Sequence, residues 1–202
     1  MFITFEGIDG SGKSTQARML WERLAADGRD VVLTREPGGA PGAEDIRKLL
    51  VEGDPGRWSA ETEILLFTAA RRDHLERTIR PALDRGAVVI SDRFADSTRV
   101  YQGATRGDLR DTVDALHDLM IRVEPDITLI LDTDPDAALA RGLARKSGED
   151  RFEDMGARFQ HTLRKGFCAL AQDHAERCIL IDGDRPVQSV AADIARRVEA
   201  KL

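Results

Sequence analysis

Gly7-Ile8-Asp9-Gly10-Ser11-Gly12-Lys13-Ser14, read together with Phe2-Ile3-Thr4-Phe5-Glu6 in front of it, decides the fold. The eight residues fit the spacing G-x-x-x-x-G-K-[ST], in which glycines let successive backbone N–H groups turn inward around phosphate oxygens. Such a loop needs a strand to hold its start and a helix whose positive end faces the anion. The apolar run at 2–6 supplies the strand. Ala17, Leu20 and Leu24, on one face at helical period, supply the helix. Gly7, Ile8, Asp9, Gly10, Ser11, Gly12, Lys13, Ser14 and Thr15 are therefore the candidates for holding the phosphates of ATP. Lys13 brings a point charge to the β- and γ-phosphates, and the Ser14 hydroxyl is a ligand for Mg²⁺. The loop alone says nucleotide and leaves the reaction open. The chain is short and has no N-K-x-D motif of the guanine-specific kind, which points to a small kinase.

Outward from the loop, short apolar runs alternate with longer helical stretches. The expected strands are 2–6, 30–34, 87–91, 127–132 and 178–181. Four are near-continuous Val, Ile, Leu or Phe runs, as in a parallel sheet covered on both faces. Val190, Ile194 and Val198 give a late helix the same one-faced period as the first. The expectation is an α/β doubly wound fold, a five-stranded parallel sheet flanked by helices, in one domain over 1–202. The charged stretch 145–154, broken by Gly148, is the candidate for a mobile segment.

The bulk properties narrow the partners. The 202 residues carry a formal charge of −6, which argues against a nucleic-acid partner but not against a small phosphorylated ligand. Cys168 and Cys178 lack metal-ligand or framework spacing and read as small buried hydrophobes in a reducing compartment. No apolar run reaches the ~18 residues of a membrane span. Residues 2–6 read as a core strand rather than part of a signal peptide, so a cytoplasmic location is expected.

Four segments bear on the phosphate acceptor. Thr34-Arg35-Glu36-Pro37-Gly38-Gly39 follows the second strand, where a turn borders the ligand crevice and Arg35 can hold a phosphate. Phe67 and Arg71 share a face of the helix expected over 60–85, as a ring and guanidinium that would stack and edge-bond a base. Periodicity alone favours a core position for Phe67. Asp92 ends the third strand, placed to act on Mg²⁺ or its waters, and Arg93 follows it, suited to bidentate phosphate binding. Ser97, Thr98 and Tyr101, with Gln102 beside them, fall at helical spacing.

Taken together these segments resemble the thymidylate kinases from residue 1 to about 200. The motifs are the P-loop, T-R-E-P-G-G at 34–39, L-F-x-A-A-R at 66–71 and D-R-F-x-x-S-T-x-x-Y-Q at 92–102, followed by P-D-I-T-L-I-L-D at 125–132 and D-R-F-E at 150–153. The resemblance implies a nucleoside monophosphate kinase fold with a short lid at about 145–154, and transfer of phosphate from ATP to dTMP with Mg²⁺. It implies that Phe67 stacks on thymine, which reverses the core reading, with Arg71 and Thr98 on the base edge. Arg35 and Arg93 would grip the dTMP phosphate, Tyr101 would pack near C2′ of the sugar, and Asp9 would face the acceptor sugar or phosphate and influence Mg²⁺. Ser97 and Gln102 would complete the dTMP site, and Ser14, Asp9 and Asp92 the metal site. Relatives supply a catalytic arginine from the P-loop or from the lid. Gly10 and Ser11 stand at the loop positions, which leaves Arg141, Arg145 or Arg151, with Arg145 preferred and Arg151 next. By resemblance the turn at 182–186 borders adenine and the chain is a homodimer. The alternatives are another nucleoside monophosphate or deoxynucleoside kinase, or an idle nucleotide-binding scaffold.

Overall fold

The computed structural model describes residues 1–54, 56–104, 108–143 and 156–202, with backbone only at 104, 142 and 143. Five strands form one sheet: β1 Phe2–Glu6, β2 Val31–Arg35, β3 Val88–Asp92, β4 Ile127–Asp132 and β5 Cys178–Asp182. Every neighbouring pair is parallel and the order is β2-β3-β1-β4-β5. The expected strands are all present, three of them ending one residue further on. Period-2 alternation splits their side chains between two layers. Ile3 and Phe5 pack with Ala17, Leu20 and Leu24 of α1 (Lys13–Ala26) and with Val190, Ile194 and Val198 of α9 (Val187–Glu199). Phe2 faces the other side, against Leu75, Ile79, Val89 and Phe94.

On that second side lie α2 (Pro41–Val51), α3 (Ala60–His74), α4 (Arg80–Asp84), α5 (Ala95–Thr98), α6 (Arg110–Met120), α7 (Pro135–Leu143) and α8 (Ala157–Asp173). The helix expected over 60–85 is interrupted by one π turn at Leu75–Ile79, where the N–H of Arg80 reaches back five residues to the Leu75 carbonyl. Pro81 accounts for it. Its ring removes one N–H and crowds the carbonyl four residues back, and a widened turn relieves the clash. A second π turn, Arg99–Ala104, prolongs α5.

Register brings the chemistry to one sheet edge. Arg35 lies opposite Asp92 in the β2–β3 pairing, and Phe5 lies opposite Asp92 in the β1–β3 pairing. The ends of β1, β2 and β3 thus deliver Gly7, Arg35 and Arg93 to the crevice beyond their carboxyl termini.

Candidate active site

At the end of β1 the loop wraps the ammonium of Lys13, which is buried and donates to the carbonyls of Gly7 (3.1 Å) and Ile8 (2.7 Å). Burial, and then the nearby Arg93 charge, push its pKa down to about 8. Gly12 caps α1 with φ 96°, so the helix opens directly at Lys13. Gly10 has φ 79°, and a β-carbon there would overlap the Ala138 carbonyl of α7. Position 10 therefore cannot carry an arginine in this packing, whatever its rotamer. Arg141, one turn along α7, instead brings its Nε to the Gly10 carbonyl at 3.0 Å. Arg145 and Arg151, with the rest of 145–154, lie outside the described residues.

Ser14 Oγ donates to Asp92 Oδ2, which places a hydroxyl and a carboxylate side by side at the mouth of the loop. Two hard oxygens with open space for phosphate oxygens and waters fit the way Mg²⁺ is usually held. Both carboxylate oxygens of Asp9 are already engaged, one by Arg93 and the other by the Tyr101 hydroxyl at 2.8 Å.

Arg93 is the hub of the acceptor side. It has φ 74°, a left-handed conformation costly for a side chain of this kind, and such strain collects at functional sites. Its guanidinium donates to the Gly7 carbonyl (3.2 Å), Ser97 Oγ (2.8 Å), the Tyr101 hydroxyl (3.1 Å) and Asp9. The strained turn is pinned from behind by Glu6, the fully buried last residue of β1. Its carboxylate accepts from Phe94 N (2.8 Å), Ser97 N (3.2 Å) and Ser97 Oγ (2.5 Å). Burial, reinforced by Asp96, pushes the Glu6 carboxyl up to about 7. Burial works against the charge on Asp9 too, but Arg93 and Lys13 beside it outweigh that and hold its pKa below the ordinary value.

A cavity of about 300 Å³ runs from this hub to a recess lined by Phe67, Arg71, Phe94, Thr98, Tyr101 and Gln102. Phe67 is half-buried, so its ring forms wall rather than core. Arg71 is 4% exposed and fully directed: Nε to Glu36 Oε2 (2.8 Å), Nη2 to the Phe94 carbonyl (3.1 Å) and to Thr98 Oγ1 (3.0 Å). The Phe94 ring lies 5.2 Å beneath it. Gln102 donates to Glu63 at 3.0 Å, and its buried Oε1 has no partner among the described residues. Tyr101 and Gln102, consecutive residues of the π turn after α5, both reach the cavity. Arg35, by contrast, is half-exposed at the rim in a long pair with Glu44 (3.3 Å), a contact of little energy and easily given up.

The structure thus brings Asp9, Gly10, Gly12, Lys13, Ser14, Arg35, Phe67, Arg71, Asp92, Arg93, Ser97, Thr98, Tyr101 and Gln102 to one cavity. Gly7, Ile8 and Ser11 form the buried back of the loop, and Thr15 is exposed on α1. Sequence reading passed over Glu6, Glu36 and Arg47, which donates to the Pro37 carbonyl. Two carried a signal: a carboxylate ending an otherwise apolar strand, or sitting inside a crevice turn, must find donors if buried.

Among known proteins, the family model described as thymidylate kinase matches residues 5–194. A thymidylate kinase of Dinoroseobacter shibae is 70% identical over 192 residues, covering 95% of this chain and 93% of that protein. One from Ruegeria pomeroyi is 66% identical over 202 residues, covering 100% and 96%. The crystal structure of thymidylate kinase from Ehrlichia chaffeensis superposes with a TM-score of 0.79 at 38% identity, covering 98% of each chain.

Proposed function

The chain belongs to the thymidylate kinase family, and from that premise we propose how its residues divide the labour of the reaction. It transfers the γ-phosphoryl group of ATP to dTMP, giving dTDP and ADP, in the synthesis of dTTP. The observation that carries our assignment is the cavity that joins Lys13 of the phosphate loop, the Arg93 hub and the recess walled by Phe67 and Arg71.

In our reading thymine lies on Phe67, with the Arg71 guanidinium and Thr98 at its edge. Gln102, held by Glu63, lines the same recess and is our further polar group beside the ring. Arg93 and Arg35 grip the dTMP phosphate, with Ser97 steadying Arg93. Tyr101 fills the space against C2′, and Asp9 faces the sugar end while it aligns Arg93. The loop Gly7–Ser14 with Thr15 receives the ATP phosphates, and Lys13 counters charge on the migrating group. Mg²⁺ fits Ser14 and Asp92, and when bound it neutralises phosphate charge. Asp9 is left to act on it indirectly. Catalysis is then positioning and charge, as phosphoryl transfer requires.

Phosphoryl transfer calls for one more cation than Lys13 and Arg93 provide. Arg145 and Arg151 in the lid segment 145–154 are our assignment, supported by the steric exclusion of a side chain at Gly10. Arg145→Ala or Arg151→Ala is expected to lower kcat at saturating substrates by at least about tenfold, ~1.4 kcal/mol of barrier. If both retain full kcat, the charge comes from elsewhere.

The acceptor is tested with a panel under excess ATP. One methyl group in an apolar pocket is worth about 1–3 kcal/mol, so dTMP should exceed dUMP in kcat/KM by about tenfold or more. CMP and unphosphorylated thymidine should fall further behind. Equal or better turnover of any of the three sinks the acceptor assignment.

We also read the protein as cytoplasmic; among the described residues no helix is long and apolar enough to cross a membrane. A homodimer is our reading as well. Leu65 on α3 and Leu119 and Met120 on α6 are exposed, and Arg72, two turns along from Leu65, donates to the Met120 carbonyl at 2.6 Å. A sedimentation mass of one 22.3 kDa chain at micromolar concentration contradicts it.

A further inference from the structure

Beside the base recess, three polar side chains, of which only Glu36 lines the cavity, form a line ending on Arg71. His74, fully buried one turn beyond Arg71 on α3, places Nε2 2.7 Å from Thr34 Oγ1 and Nδ1 3.0 Å from Glu36 Oε1. The other oxygen of Glu36 takes Arg71 Nε at 2.8 Å, with both side chains 4% exposed. Because a carboxylate oxygen only accepts, Nδ1 of His74 carries the proton, and in the neutral ring Nε2 accepts from the Thr34 hydroxyl. The line is thus Thr34 to His74 to Glu36 to Arg71, and it crosses from β2 through the turn at 34–39 to α3.

We propose that His74 is a positioning residue for base recognition: it fixes Glu36, and through Glu36 the angle at which Arg71 presents its guanidinium to the base. This rests on the reading of Arg71 as the group at the thymine edge. Nε and Nη2 of Arg71 are occupied by Glu36, Phe94 and Thr98, which leaves Nη1 as the donor without a partner among the described residues. A guanidinium is planar, so fixing Nε and Nη2 fixes the direction of Nη1. Glu36 sits on a turn, not on a strand, and alone could follow Arg71 rather than hold it. His74 removes that freedom because it is itself clamped: a β-carbon at Gly39 would overlap both His74 Nε2 and Thr34 Oγ1. Thr78, one turn along from His74, also takes the Gly39 carbonyl at 2.7 Å, closing the turn onto the helix.

The test uses two variants that each keep one nitrogen. An asparagine amide overlays Nδ1 of histidine and a glutamine amide overlays Nε2, so His74→Asn keeps the donor to Glu36 and His74→Gln keeps only the Thr34 side. KM for dTMP should rise about fivefold or more in His74→Gln and stay within about twofold in His74→Asn, with KM for ATP unmoved in both. A merely structural histidine would lower the melting temperature in both and shift both KM values alike, and that result overturns the proposal. If neither variant folds, Thr34→Val decides it: the clamp is released at its far end, and KM for dTMP should rise about two- to threefold. No change there also overturns the proposal. Arg71→Lys separates the underlying reading. If it leaves KM for dTMP untouched, Arg71 does not face the base. If it raises KM while His74→Gln does not, only the relay fails.

Discussion

Replacing Arg93 with alanine is expected to lower kcat/KM for dTMP by about three orders of magnitude, ~4 kcal/mol, while KM for ATP moves less than about threefold. Two losses add. The acceptor phosphate loses its bidentate partner, and Asp9 loses the stronger of the two cations, Arg93 and Lys13, that offset its burial. Breaking a fully buried pair typically costs about 3–5 kcal/mol, and Asp9, partly buried and still beside Lys13 and Tyr101, should lose less than that. Asp9 also stands where a dianionic phosphate must bind, so the repulsion falls on the substrate. Arg93→Lys should recover less than half of the loss in free energy. A point charge cannot reach Gly7, Ser97, Asp9 and Tyr101 together as the fork does. Steady-state kinetics varying dTMP at saturating ATP measure this, with a thermal melt to confirm folding. A folded Arg93→Ala enzyme within about tenfold of wild type contradicts the hub assignment.

For Lys13→Met we expect a kcat reduced by about 10²–10³, the scale for removing one preorganised group that stabilises transition-state charge. A pH signature accompanies it. Burial and Arg93 hold the Lys13 pKa at about 8, below its ordinary value, in the protein without nucleotide. The charged form binds triphosphate, and the charge is lost as pH rises. ATP affinity should therefore be flat below pH 8 and fall above it by at most about tenfold per unit, until the higher pKa of the bound state is reached. Isothermal titration at several pH values should also show proton uptake on binding near pH 8 to 9. In Lys13→Met both the slope and the uptake should vanish. If they persist, the titrating group is not Lys13.

Much of the site was legible because its motifs are local. G-x-x-x-x-G-K-[ST] works through eight consecutive backbones, and the strand before it and helix after it carry their own periodic signals. The same holds for Asp92-Arg93 at a strand end. Phe67 was not legible from its period, since a ring three or four residues from other apolar side chains looks like core. Only the resemblance moved it to the pocket, and the structure sets it on the cavity wall. Glu6 and Glu36 were passed over because the apolar strand and the crevice turn around them hint at burial, but the donors that satisfy them lie far away in sequence. The π turns at 75–79 and 99–104 were equally silent: Pro81 hints at the first, and nothing local announces the second.

By itself, then, the sequence determined a phosphate loop on a parallel α/β sheet and the residue types of an acceptor site. The physical reason is that loop curvature, strand burial and helix period are properties of neighbours along the chain. Tertiary structure alone decided that Arg93 closes on Asp9, 84 positions away, and that Arg71 is steered by Glu36 from 35 positions away. It also decided that Gly10 has no room for a side chain, because α7 lies against it. Those facts depend on strand order and parallel register, which set which chain ends share an edge. Charged groups brought together there out of water must pair, and the pairing creates the geometry that catalysis uses.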